Sequence, residues 1–204
     1  MNIYGASGHG KVILDIIRSV SSEEIDFVID DNPEIEEFAG KSVFHKLTSE
    51  VLNCETVFAI GKNRIRKKLS QDFKGPVASA IVHSSAVLSD SAKLGKGTVV
   101  MANAAINAAV AAGEHCIINT AAVVEHDVVL GDFVHISPGA VITGNVHIGE
   151  GTHIGAGAVI IPGIKIGKWV SVGAGAVIIR DIPDFAIVVG NPGKLIKYKS
   201  DENE

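Results

Sequence analysis

VITGNVHIGEGTHIGAGAVIIPGIKIGKWVSVGAGAVI, residues 141–178, carries the pattern that decides the fold. Within it Ile142, Ile148, Ile154, Ile160, Ile166, Val172 and Ile178 recur at every sixth position. The same step runs back through Ile136, Leu130, Val124, Ile118, Ala112, Ile106, Val100, Leu94, Leu88 and Val82, where Ala112 alone departs from Val, Ile or Leu. Four residues after each of these stands a small or aliphatic residue, as at Ala86, Ala92, Thr98, Ala104, Val110, Cys116, Ala122 and Val128. A six-residue period is the signature of a parallel β-helix, whereas the strands of a sandwich alternate with period two. Each hexad supplies a short strand and a turn, with the repeated aliphatic residue pointing inward. Three hexads close one triangular coil, so residues 18 apart stack at about 4.8 Å. Gly often follows the aliphatic residue, as at Gly95, Gly131, Gly149, Gly155, Gly167 and Gly173, and is expected there for turns with positive φ. The β-helix is predicted for about residues 82–183.

Composition agrees with a solenoid. Of the 204 residues 47% are hydrophobic, 5% aromatic and 20% charged, with a mean hydropathy of +0.32. Stacked short strands merge their aliphatic residues into one core, and no stretch reaches the roughly 18 to 20 uncharged residues of a membrane span. A net charge of −5 argues against nucleic acid as the main partner, because phosphate binding needs a basic footprint. The stretch Lys62 to Lys68 is the local exception. Cys54 and Cys116 show no metal or redox spacing. No signal-peptide pattern follows Met1, so the expected compartment is the cytoplasm.

Residues 1–80 follow another rule. Asn2-Ile3-Tyr4 opens a strand, then come Gly5-Ala6-Ser7-Gly8-His9-Gly10 and a helix from Lys11 to Val20. Ile25 to Ile29 reads as a second strand ending at Asp30-Asp31. Thr56 to Ile60 reads as a third, ending at Gly61-Lys62-Asn63 before a helix over Arg64 to Ser70. Strand, glycine turn, helix, strand and acidic residue outline a Rossmann-like mononucleotide fold. Such a turn lets backbone N–H groups approach a phosphate at a helix N-terminus, and Asp30 stands where a carboxylate accepts from ribose hydroxyls. Glycine-rich turns also serve only to pack helix against strand, so spacing alone leaves both roles open.

These motifs, together with Val82-His83, Glu125-His126-Asp127 and the tail Gly190-Asn191-Pro192-Gly193-Lys194, resemble the nucleotide-amino-sugar N-acetyltransferases. That group includes the bacillosamine and perosamine acetyltransferases, with sialic acid O-acetyltransferases in the wider hexapeptide family. The resemblance implies an N-terminal α/β Rossmann-like region (residues 1–80) that binds a nucleotide-linked amino sugar. It implies a left-handed parallel β-helix (81–204) that transfers an acetyl group, a homotrimer, and acetyl-CoA as co-substrate in the groove between neighbouring helices. The reaction it implies is acetylation of the 4-amino group of a UDP- or GDP-linked deoxy sugar. The alternative is O-acetylation of a sialic-acid-type sugar.

By the resemblance His126 is the general base and Asp127 its orienting partner. A sugar amine must lose a proton to attack a thioester, and a histidine is suited to take it. Whether Asp127 or Glu125 faces His126 is open in the sequence. Gly144 is 18 residues beyond His126 and is expected to stack on it, leaving room for the thioester and a backbone N–H for the oxyanion. His135 lies half a coil from His126, on another face; by the resemblance it contacts acetyl-CoA. Asn119 is a candidate contact at the same site, or an inward polar residue of the ladder. Ala156, Gly157 and Ala174, in the Gly155-Ala156-Gly157 and Gly173-Ala174-Gly175 column, are candidates to lie along the pantetheine arm, a column that equally suits packing between subunits. Lys165, Lys168 and Lys194 are candidates for CoA phosphates. Substrate-binding candidates are Gly8, His9, Gly10, Asp30, Asp31, Gly61 and Asn63, with Lys11 beside them. His153 stacks above His135, and the histidines raise a zinc alternative, although no metal is expected. A scaffold without chemistry is the non-enzymatic alternative. Cys116 falls at a core position, so no acyl-enzyme is expected.

Overall fold

The computed structural model describes residues 1–21 and 24–199. It has the expected architecture, an α/β Rossmann-like region followed by a left-handed parallel β-helix. The first region runs β1 (Asn2–Tyr4), α1 (Gly8–Val20), β2 (Val28–Ile29), β3 (Glu37–Phe38), β4 (Lys41–Phe44), α2 (Ser49–Leu52), β5 (Thr56–Phe58) and α3 (Asn63–Asp72). The β3–β4 hairpin and α2 were not in the sequence reading. The sheet has the order β3-β4-β2-β1-β5, parallel except for the antiparallel β3–β4 pair. The glycine turn lies closer to the helix than expected, since α1 begins at Gly8.

Two-residue strands β6 to β22, from Ile81–Val82 to Val177–Ile178, then build three faces, pairing at a spacing of 18. Face one stacks Ile81, Val99, Ile117, His135, His153 and Ser171. Face two stacks Val87, Ala105, Val123, Val141, Val159 and Val177. Face three stacks Lys93, Ala111, Val129, His147 and Lys165. These first residues point outward, and the second residue of each strand enters the core, where Val100, Ile118, Val124, Ile136, Ile142 and Ile154 are fully buried. Val82 and Leu94 are partly buried, and Leu88, in the first coil, is exposed. β23 (Ala186–Val189) extends face one and pairs with β24 (Lys194–Tyr198), so the tail folds back on the last coil.

The turn chemistry corrects the sequence reading. The positive-φ position recurs every sixth residue from Gly97 to Gly175, but it holds Asn103, Ala109, His115, Ala121, Asp127, Phe133, Asn145 and Trp169 as well as glycines. The glycines directly after the aliphatic residue have another task, because the coils stack too closely for a side chain there. A Cβ on Gly149 would lie 2.6 Å from the Gly167 carbonyl carbon. Left-handed backbone is thus carried two residues later and is imposed on ordinary side chains by the coil.

The two regions share a core. Ile3, Ile13, Ile16 and Val57 cluster with Ile81, Val99, Met101 and Ile117 of face one. Arg66 of α3 completes the docking and is 1% exposed. Its Nε donates to His115 O (2.9 Å), one terminal nitrogen to Ile60 O (2.7 Å), and the other to Phe133 O (3.0 Å) and Asn63 Oδ1 (2.9 Å). Arg64 lies 4.8 Å over the Trp169 ring, and Lys67 pairs with Glu150. The basic stretch Lys62 to Lys68 is therefore largely a fastening between the regions. No helix among the described residues is long and apolar enough to cross a membrane.

Candidate active site

The carboxyl ends of β1, β2 and β5 converge where the strand order reverses, the usual position of a ligand crevice in an open α/β sheet. They carry the three predicted loops. Packing explains two of the glycines: a Cβ on Gly10 would lie 2.3 Å from Gly5 O, and one on Gly5 2.7 Å from Ala59 O. Gly8 and Gly61 have nothing within 4 Å of a Cβ, so there the backbone faces open space. Gly8 and His9 open helix α1, whose first N–H groups point to this crevice.

The acidic pair divides its work. Asp30 accepts from Ala6 N (2.8 Å) and Asn32 N (2.9 Å), tying the glycine turn to β2. Asp31 accepts from Tyr4 Oη at 2.6 Å and is exposed. Burial, then the Asp31 bond, raises the Tyr4 phenol and keeps it a donor. The Asn63 side chain is committed elsewhere, with Nδ2 donating to Gly151 O (3.0 Å) and Oδ1 accepting from Arg66. The Asn63 side chain therefore fastens the two regions together.

Beside the crevice, face one presents His135 and His153, with rings stacked at 4.8 Å and 25°. Asn119 Nδ2 meets His135 Nε2 at 3.1 Å, and Ser137 Oγ meets His153 Nε2 at 2.7 Å. Burial foremost, with His153, Arg66 and His9 nearby, pushes the His135 imidazole down to about 3. Burial and Arg66 hold His9 down at about 4. His135 thus lies near Arg66 and His9 of the α/β region of its own chain, a placement the period did not reveal. Asn119, Ala156, Gly157 and Ala174 lie along the edge between faces one and two. Gly157 has open space around a Cβ.

His126 and Asp127 occupy a different edge, between faces two and three. His126 Nδ1 and Asp127 Oδ2 are 2.9 Å apart, and both side chains are 62% exposed. The partner is therefore Asp127, not Glu125. Asp127 sits at the left-handed turn position (φ 60°), which Asp tolerates. Gly144 lies against the ring as the 18-residue stacking requires: a Cβ there would be 2.6 Å from Cε1 and 2.7 Å from Nε2 of His126. Within one chain the structure does not bring His126 to the crevice or to the small-residue column. Cys116 is fully buried, and burial pushes its thiol up to about 12. Among the described residues no group of His, Cys, Asp and Glu is arranged to hold a metal ion. Arg66 and Ser137 were missed in the sequence, which offers no signal separating Arg66 from the exposed cations around it.

Gly144→Val is expected to displace the imidazole and lower turnover by about a hundredfold while assembly persists. Steady-state kinetics with size-exclusion chromatography check this. A fully active, folded variant would show that the seat of the His126 ring against Gly144 is not needed.

The comparisons with known proteins place this geometry. A PglD N-terminal domain profile matches residues 1–73, and a bacterial transferase hexapeptide profile of six repeats matches 145–180. A perosamine N-acetyltransferase mutant from Caulobacter crescentus, in complex with CoA and GDP-perosamine, is 38% identical with a TM-score of 0.90, covering 98% of this chain and 96% of its own. The chain belongs to the nucleotide-amino-sugar N-acetyltransferases. The acetyltransferase domain of PglB from Neisseria gonorrhoeae FA1090 is 36% identical with a TM-score of 0.87, covering 96% of this chain and 98% of its own. A UDP-N-acetylbacillosamine N-acetyltransferase of Bacillus subtilis (strain 168) is 40% identical over 115 residues, so that match spans 49% of this acetyltransferase and 50% of the relative.

Proposed function

We propose that the protein transfers acetyl from acetyl-CoA directly to the 4-amino group of a UDP- or GDP-linked amino deoxy sugar, with His126 as general base. The observation that carries this is the exposed His126–Asp127 pair, whose imidazole lies against Gly144 where a side chain would collide with it. Asp127 on Nδ1 fixes the tautomer that leaves Nε2 free to accept a proton. The amine nitrogen attacks the thioester carbonyl, His126 Nε2 takes the amine proton, and the C–S bond breaks. The CoA thiolate then takes up that proton. Gly144 N–H stabilises the intermediate oxyanion.

In this reading residues 1–80 hold the nucleotide sugar. Gly8, His9 and Gly10 face its phosphates, Asp30 and Asp31 its ribose, and Gly61 and Asn63 close the site. Residues 81–204 perform the transfer, with Asn119, His135, Gly144, Ala156, Gly157 and Ala174 along acetyl-CoA; residues 200–204 lie outside the described residues. The outward column of face two is wholly Val and Ala. A homotrimer about an axis facing that column would set the Asn119 edge of one copy against the His126 edge of the next, completing the site. The reading places the protein in the cytoplasm.

The test is release of free CoA thiol from acetyl-CoA with a panel of UDP- and GDP-linked 4-amino sugars. Release with one of them supports the reading. Silence with every amino sugar, but turnover of a sialic-type hydroxyl, would replace it with O-acetylation.

A further inference from the structure

We infer that His153, backed by Ser137, is a positioning residue that holds the His135 ring in line with the Asn119 amide. The inference rests on the reading of the Asn119 edge as part of the transfer site. It assigns a task to His153 and Ser137, which take no part in the mechanism above.

The bonding fixes the arrangement atom by atom. Asn119 Oδ1 accepts from Thr120 N at 2.8 Å, so the amide nitrogen is the group that faces His135. An amide nitrogen only donates, hence His135 Nε2 must accept, and the neutral ring carries its proton on Nδ1. One hydrogen of the Asn119 amide is left for a ligand.

One in-plane bond does not fix the ring against tilting out of its plane. The next coil supplies that restraint through the His153 ring, 4.8 Å away and 25° from parallel. His153 is in turn pinned by Ser137 Oγ at 2.7 Å. Ser137 is 5% exposed, so this pin is set by the coil and not by solvent. Loss of the His153 ring frees His135 to tilt, and Asn119 loses the acceptor that orients its amide.

The experiment uses the full chain and three variants: His153→Ala, His153→Phe and Asn119→Ala. His153→Ala is expected to lower kcat about ten- to a hundredfold with KM for both substrates unchanged. His153→Phe, which restores a ring face, recovers much of that loss. The double variant is no slower than Asn119→Ala alone, because both changes act through one amide. Multiplying losses, or an unaffected kcat in a folded His153→Ala protein, would overturn the inference. Imidazole 15N NMR decides the question without turnover. His135 should carry its proton on Nδ1 at neutral pH in the parent chain and lose that preference in His153→Ala; an unchanged spectrum also overturns it. An inactive parent chain would count against the proposed reaction, and the NMR arm would still judge how the His135 ring is held. A harmless Asn119→Ala would count against the role of Asn119.

Discussion

His126→Ala is expected to slow acetyl transfer about 10²- to 10⁴-fold, the usual contribution of a positioned general base. The fold should be untouched, because the His126 side chain is 62% exposed and its recorded partner is the neighbouring Asp127. Thermal unfolding and oligomeric state should therefore match the parent protein while CoA thiol release collapses. Asp127→Asn should fall between the two, since an amide holds the ring but does not stabilise the imidazolium. A His126→Ala protein with undiminished kcat would move the base elsewhere, and His135 is poorly suited to the part. Its Nε2 already accepts from Asn119, and its imidazole is pushed down to about 3.

The second large effect is structural. Arg66→Met is expected to destabilise the protein by about 3–5 kcal/mol, because buried carbonyls left without a donor cost about 1–3 kcal/mol each. The acceptors are His115 O and Phe133 O on the solenoid and Ile60 O on the loop after β5. Arg66→Lys should rescue little, since one ammonium cannot span a fork that reaches both regions. Urea unfolding gives the magnitude. Hydrogen exchange should show faster opening of residues 1–73 than of the solenoid core. A loss below about 1 kcal/mol would mean that water replaces the guanidinium at these carbonyls.

The contrast between Ile65 and Arg66 shows where sequence reasoning stops. A hydrophobicity pattern buries Ile65 and exposes Arg66, yet Ile65 is 45% exposed and Arg66 1%. The surface that α3 meets is a row of turn carbonyls from successive coils, and five N–H donors satisfy it better than a methyl group does. Gly144 is the opposite case: its place against His126 followed from counting 18 residues, because the coil is a rigid ruler. The glycine turns fall between. Their recurrence was visible, but their reason was misjudged, since close stacking of coils was mistaken for a need for positive φ.

The sequence by itself determined the period, the inward column and the edge on which His126 stands, all set by repulsion of aliphatic residues from water at a fixed spacing. The α/β region and the loops at its strand ends were also legible, through glycine and aspartate placed after short apolar runs. Only the tertiary structure decided that Asp127, not Glu125, is the partner of His126, that Asn63 is spent on docking, and that His135 meets Asn119. The last two contacts join residues of separate turns or separate regions, as does that of Arg66 with Phe133. They depend on how one folded surface meets another, and no local repeat encodes that.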